Sequence, residues 1–245
     1  MKLYGYNPFY MFPYRNKRGF MSFLDFGQNK KAFTLAEVLI TLGIIGVVAT
    51  MTIPTLINKY YEKQTVTKVI EIQSIISQAI RLVEEDYGTP ENWDLTTGFY
   101  TKEDAEKIGE IMKHGLKISL DCGTSDIQGK CVYTNSYKYL NNEGATQNYR
   151  TGGTYKVVLN NGVSLWFGSN KGHQVDFFFD INGKAKPNVL GRDLFAVSYI
   201  FDKGVIADGS PDDDTPYQIN CNMKSSGWGC AYYILKFKNM RYLDK

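Results

Sequence analysis

From Phe33 to Ile53 the chain carries one ionisable side chain, Glu37, in an otherwise apolar run. A helix of this length, at about 1.5 Å per residue, spans roughly 30 Å and is long enough to cross a bilayer. A carboxylate is expensive in such a helix, so its presence points to a function. The helical pattern continues beyond the apolar run. Val66, Val69, Ile72, Ile76, Ala79, Ile80 and Val83 recur at helical spacing with Glu71, Gln73, Gln78 and Arg81 between them, and Gly88, Thr89 and Pro90 close the run. The spacing therefore predicts one helix over about 33–86, with Pro54 as a kink, whose second half packs on a domain. A second helix is predicted over Lys102–Gly115. There Thr101 and Asp104 form a capping-box pattern, Ile108, Ile111 and Met112 face inward, and Gly115 stands at the stop.

The remainder reads as strands. Tyr155–Leu159 and Val163–Phe167 flank Asn160-Asn161-Gly162, a hairpin signal. A third strand is expected over Val175–Asp180, a fourth over Leu194–Phe201, and a short fifth at Val205-Ile206 after the turn at Lys203-Gly204. Strands joined by tight turns pair antiparallel, and a sheet with one apolar face needs the amphipathic helix as its cover. The fold class is α+β, long helix first and sheet after. The expected divisions are a leader over 1–32, a transmembrane helix over 33–57 and a globular domain over 58–245.

Charge sets the topology. Arg15, Lys17, Arg18, Lys30 and Lys31 all precede the apolar run, so the leader is expected to stay cytoplasmic and everything after Ile57 to be translocated. A standard cleaved secretory signal is excluded, because the apolar stretch is too long and no small-x-small site follows it. The formal net charge of +3 is small and scattered, which argues against a nucleic-acid partner.

Lys30-Lys31-Ala32 followed by Phe33-Thr34-Leu35-Ala36-Glu37, with Pro54 standing 21 residues after Phe33, closely resembles the N-terminal segment of type IV prepilins and type II secretion pseudopilins. The resemblance implies a pilin-like fold of long helix on antiparallel sheet with disulfide-stapled loops. It implies cleavage by a prepilin peptidase between Ala32 and Phe33, N-methylation of Phe33, a role for Glu37 in docking subunits, and Pro54 as the helix-kinking proline. It further implies other pilin-like subunits, an inner-membrane assembly platform and the lipid bilayer as partners. Ala32 stands where the family usually has glycine, and Ala36 where it usually has a larger aliphatic residue. Met21 would give a leader of more usual length. Physics supports the same roles. After cleavage the Phe33 amine lies one helical turn from Glu37, and a complementary charge, from the same chain or a neighbour, removes the cost of either group in hydrocarbon. The plain alternative is a signal anchor whose glutamate reaches the cytoplasmic face.

Four cysteines, Cys122, Cys131, Cys221 and Cys230, all follow the membrane segment, in an oxidising compartment by this topology. Sequence leaves three connectivities open. Local pairing, Cys122–Cys131 and Cys221–Cys230, closes the shortest loops and is the expectation; a four-cysteine zinc site is disfavoured because no C-x-x-C spacing occurs. Asp180-Ile181-Asn182-Gly183 reads first as a turn. Its resemblance to a loop of pilin-like proteins, some of which bind calcium, makes Asp180, Asn182 and Asp193 the oxygen ligands if calcium binds there, although Lys184, Lys186 and Arg192 oppose a cation. The run Asp212–Asp214 is read as a solvated loop.

No catalytic constellation stands out. The two histidines, His114 and His173, lie in no metalloprotease context, and neither a phosphate-binding loop nor a nucleophile elbow occurs. The expectation is therefore a structural filament subunit, with no enzyme activity, cofactor or nucleic-acid partner. Its rivals are a monomeric membrane-anchored binding or adhesive domain, and a minor tip subunit that binds an exported substrate or DNA.

Overall fold

The computed structural model describes residues 33–213 and 220–244; Ala32 with the rest of the expected leader, and Asp214 of the acidic run, lie outside the described residues. By its internal contacts the chain divides into Met1–Thr50 and Met51–Lys245.

Helix α1 runs from Leu35 to Tyr87 and passes through Pro54. Its buried residues are Val66, Val69, Ile72, Ile76, Ala79, Ile80 and Val83, the seven that the spacing selects. Burying each of the larger ones contributes roughly 1.5–3 kcal/mol. Polar side chains at the edges of this face fix its register. The Glu62 carboxylate accepts from the Met240 amide at 2.8 Å, Lys68 Nζ donates to the Ile181 carbonyl at 2.7 Å, and Glu71 accepts from the Asn161 side chain at 3.0 Å.

Helix α2 spans Lys102–Gly115. Thr101 Oγ1 accepts from the Asp104 amide at 3.1 Å, which is half of the expected capping box. The other half is absent. The Asp104 carboxylate turns instead to the preceding loop, accepting from the Thr96 amide at 2.9 Å and its hydroxyl at 2.7 Å. Gly115 also serves differently from expectation. The helix ends at Leu116 in an extended conformation, while a Cβ on Gly115 would lie 2.4 Å from the Ala79 carbonyl oxygen. It is the point where α2 meets the α1 backbone.

Among the described residues six strands form one antiparallel meander in sequence order: β1 (Ile118–Gly123), β2 (Tyr155–Leu159), β3 (Ser164–Asn170), β4 (Gln174–Asp180), β5 (Leu194–Ile200) and β6 (Gly204–Ala207). The β2–β3 turn is the Asn-Asn-Gly hairpin, with Gly162 at φ 82°. Val157, Leu165, Phe179 and Phe195 lie in register across four strands and pack with α1 and α2 in the main core. Helix α3 (Cys230–Phe237) joins that core through Cys230, Ala231 and Ile234.

The expectation of a sheet with one buried face is corrected here, since β4 and β5 are buried along their whole length. The opposite face carries Trp166, Phe178 and Ala196 in register. These pack with Cys131, Val132, Tyr137 and Tyr149 from the segment between β1 and β2. That segment is held by charge as well as by packing. Lys156, buried on β2, donates through Nζ to the carbonyls of Thr124, Gly152 and Thr154 at 2.8, 3.1 and 2.5 Å. Burial holds its amine down at about 8.

Candidate functional site

The N-terminal helix is built at its first turn. Thr34 lies before the first helical residue, and its carbonyl accepts the Val38 amide at 3.2 Å. Its Oγ1 accepts from the Glu37 amide at 3.2 Å, and Glu37 Oε2 in turn accepts from the Thr34 amide and hydroxyl, both at 2.8 Å. This is a complete reciprocal capping box, spelled Thr34-Leu35-Ala36-Glu37, and the sequence reading passed over it. The T-x-x-E spacing before an apolar run was the available signal. A carboxylate here also complements the positive end of the helix dipole. Glu37 thus has a local task besides any task toward another subunit.

Past that turn the helix is apolar and uncovered. None of its apolar membrane-length stretch is buried against the rest of the described residues. Among the described residues α1 is the helix long and apolar enough to cross a membrane. Its hydroxyls are satisfied internally, Thr41 donating to the Val38 carbonyl at 2.9 Å and Thr50 to that of Val47 at 2.8 Å. Hydrocarbon requires this of every polar group. Phe33 is exposed at the start and Pro54 lies inside the helix; Ala32 lies outside the described residues.

The cysteines pair locally. Cys122 is bonded to Cys131 and Cys221 to Cys230, so none is free for zinc. Asp126 lies beside the first bridge, but both sulfurs there are consumed in the disulfide, and its carboxylate accepts the amides of Lys130, Cys131 and Val132 at 2.7, 2.7 and 2.9 Å.

The three oxygens considered for calcium do not fit a metal loop. Asp180 Oδ2 accepts from the Tyr137 hydroxyl at 2.8 Å and Oδ1 from the Asn182 amide at 3.1 Å. Asp193 accepts the amides of Asn188 and Val189 at 2.5 and 2.7 Å, and the Asn182 side-chain amide donates to the Lys186 carbonyl at 3.2 Å. The segment is a turn, with Gly183 at φ 71° as its D-x-N-G spelling suggests, and the two carboxylates cap its backbone. Burial, with the Asp193 charge nearby, pushes the Asp180 carboxyl up to about 8; burial pushes Asp193 to about 6 against the pull of its amide donors.

Residues 27–53 match the family model of the prokaryotic N-terminal methylation motif. The match covers Ala32 and Phe33, the capping box and the apolar helix up to Ile53. No curated protein and no solved structure matches the chain.

Proposed function

We propose that the chain is a structural subunit of a type IV pilus or a type II secretion pseudopilus. A prepilin peptidase cuts between Ala32 and Phe33 and the new Phe33 amine is methylated. The apolar helix anchors the protein in a single pass through the inner membrane, N-terminus cytoplasmic and the domain exported. It then leaves the bilayer for a bundle of its own kind, with other pilin-like subunits and an assembly platform as partners. Pro54 supplies the bend that such packing uses. The carrying observation is Glu37, the lone acid of the uncovered apolar stretch 33–53 of α1, set at its first turn inside the methylation motif. The two disulfides suit an exported domain.

Glu37 has two separable tasks, and two substitutions separate them. Glu37→Ala removes both the cap and the charge. Glu37→Gln keeps a capping box, in which glutamine is as acceptable as glutamate, and removes only the charge. Both variants are expected to insert in the membrane at parental levels and to be cleaved, because the Ala32–Phe33 junction is untouched. Both are expected to lose sheared-filament yield, since neither balances the Phe33 amine of an adjoining subunit. If Glu37→Gln assembles like the parent, Glu37 is a helix cap alone, and a monomeric anchored binding domain becomes the better account.

A further inference from the structure

The second face of the sheet carries a half-open cavity of about 320 Å³ at the β6 end, and no residue assigned above to processing or assembly lines it. Six aromatic rings line it, those of Phe99, Tyr100, Tyr139, Tyr149, Phe178 and Trp228. Phe178 is central, with ring centroids 6.1 Å from Tyr100, 5.4 Å from Tyr149 and 5.8 Å from Trp228. Two aspartates, Asp176 and Asp208, line the same cavity, and no lysine, arginine or histidine does so among the described residues.

The two carboxylates are unequally served. Asp176 is fully satisfied: Tyr100 Oη and Asn170 Nδ2 (3.2 Å) donate to one oxygen, and Gln174 Nε2 (2.5 Å) and Ser198 Oγ (2.8 Å) to the other. Asp208 is 7 % exposed, and its side chain meets Ser198 Oγ alone among the described residues, at 3.0 Å. A hydroxyl has one proton, so Ser198 cannot donate to both. Asp208 is therefore a buried acid lining the cavity to which the described residues offer no donor beyond the shared Ser198 hydroxyl, while its backbone is fixed to the carbonyl of Ala196 and the amide of Tyr232, each at 3.3 Å. Burial, and then the Asp176 charge, hold its carboxyl far above the usual range, so it keeps its proton until a cation beside it favours the charged form and the proton leaves to solvent.

An aromatic lining around a buried acid that only a neighbouring cation would ionise suits one ligand chemistry. Ring faces attract cations, and a group bearing N–H supplies the missing donors. A hard metal ion is a poor match, since it needs six or more oxygens and Asp176 has none to spare. The volume, at the small end of ligand pockets, admits one side chain or a short amine. We propose that this cavity binds an organic cation bearing N–H donors, an alkyl guanidinium or primary ammonium, with Asp208 as its counter-ion and the rings as its walls. Two sources share this chemistry, an arginine or lysine side chain of another polypeptide and a free amine. The proposal does not rest on the assembly reading.

Calorimetry on the full chain in lipid nanodiscs tests it, using N-acetylarginine amide, N-acetyllysine amide, putrescine and the neutral isostere N-acetylcitrulline amide. At least one cationic compound is expected to bind, with citrulline weaker by about tenfold or more. Preference for the two amides indicates a polypeptide side chain, and preference for putrescine a free amine. Asp208→Asn is expected to weaken the cation by about tenfold or more while leaving the melting temperature equal or higher, since it removes a buried acid. Phe99→Ala, at the exposed rim where folding is not at stake, is expected to weaken it by about threefold. The proposal is overturned if no cationic compound binds at millimolar concentration, if citrulline binds equally, or if the folded Asp208→Asn protein binds as the parent does. Should Asp208→Asn not fold, the citrulline comparison and Phe99→Ala decide by the same criteria.

Discussion

Buried charge at single residues determines how this domain responds to pH. Asp180, at about 8, and Asp193, at about 6, are carboxyls raised above their unfolded values, so between about pH 4 and 8 the folded chain holds more protons than the unfolded one. Their contribution to stability is full at low pH and is lost as pH rises through that window. Lys156, lowered to about 8, acts in the opposite sense. Above pH 8 the folded chain holds fewer protons than the unfolded one, and stability is regained toward about 10.5. For these groups the minimum lies near pH 8. Asp180→Asn keeps an acceptor for the Tyr137 hydroxyl and removes the titration, so it is expected to flatten the fall between pH 5 and 8. Urea midpoints across that range measure it, and an unchanged slope would count against Asp180 as the source. The turn at Asp180 was legible, because Asp and Gly at that spacing make turns wherever they lie. The burial of its carboxylate was not. Lys156, Ser164, Asp176, Asp180 and Ser198 alternate with apolar residues along their strands, which spells a solvated face. The cover supplied by the β1–β2 segment, together with Tyr100, Asp208 and Trp228, makes them interior.

At the scale of elements, periodicity identified what is long and regular. The seven inward residues of α1, the bounds of α2 and the Asn-Asn-Gly hairpin follow from spacing alone. Two elements escaped. Strand β1 is a short edge strand with no buried residue, so no burial pattern marks it. Helix α3 is eight residues, Cys-Ala-Tyr-Tyr-Ile-Leu-Lys-Phe, whose aromatic content reads as strand and whose helicity comes from its docking on the core. Gly115 sets α2 directly against the α1 backbone at Ala79. Gly115→Ala gains up to about 1 kcal/mol of helix propensity but sets a methyl against a backbone carbonyl, which cannot swing aside. A net loss of about 1–2 kcal/mol is expected, read as a lower thermal midpoint; an increase would show that the two helices can part without cost. The Cys122–Cys131 loop is stapled twice, by its disulfide and by the three amides on Asp126. Replacing both cysteines by serine is expected to cost about 2–3 kcal/mol by chemical denaturation without unfolding the domain. Global unfolding of that variant would mean the Asp126 cap contributes little.

As a whole molecule the chain combines a helix that water cannot accommodate with a domain that carries its own core, its own disulfides and a cover on both faces of its sheet. The first part was legible as a motif, because a lone acid early in an apolar run after basic residues is a specific spelling, and the methylation-motif match covers it. The domain was legible only as a class, since the aromatic cluster of Trp166, Phe178 and Tyr149 assembles from distant segments that no local pattern connects. On the proposed function, processing is the decisive event: until a leader is removed the Phe33 amine does not exist, and Glu37 has only its cap to serve. Mass spectrometry of the N-terminal peptide, from membranes and from sheared filaments of peptidase-positive cells, reads that event directly. The account predicts a mature chain beginning at Phe33 with one added methyl group on its amine. Peptides that run unbroken from Lys31 through Phe33 as the main species would contradict it.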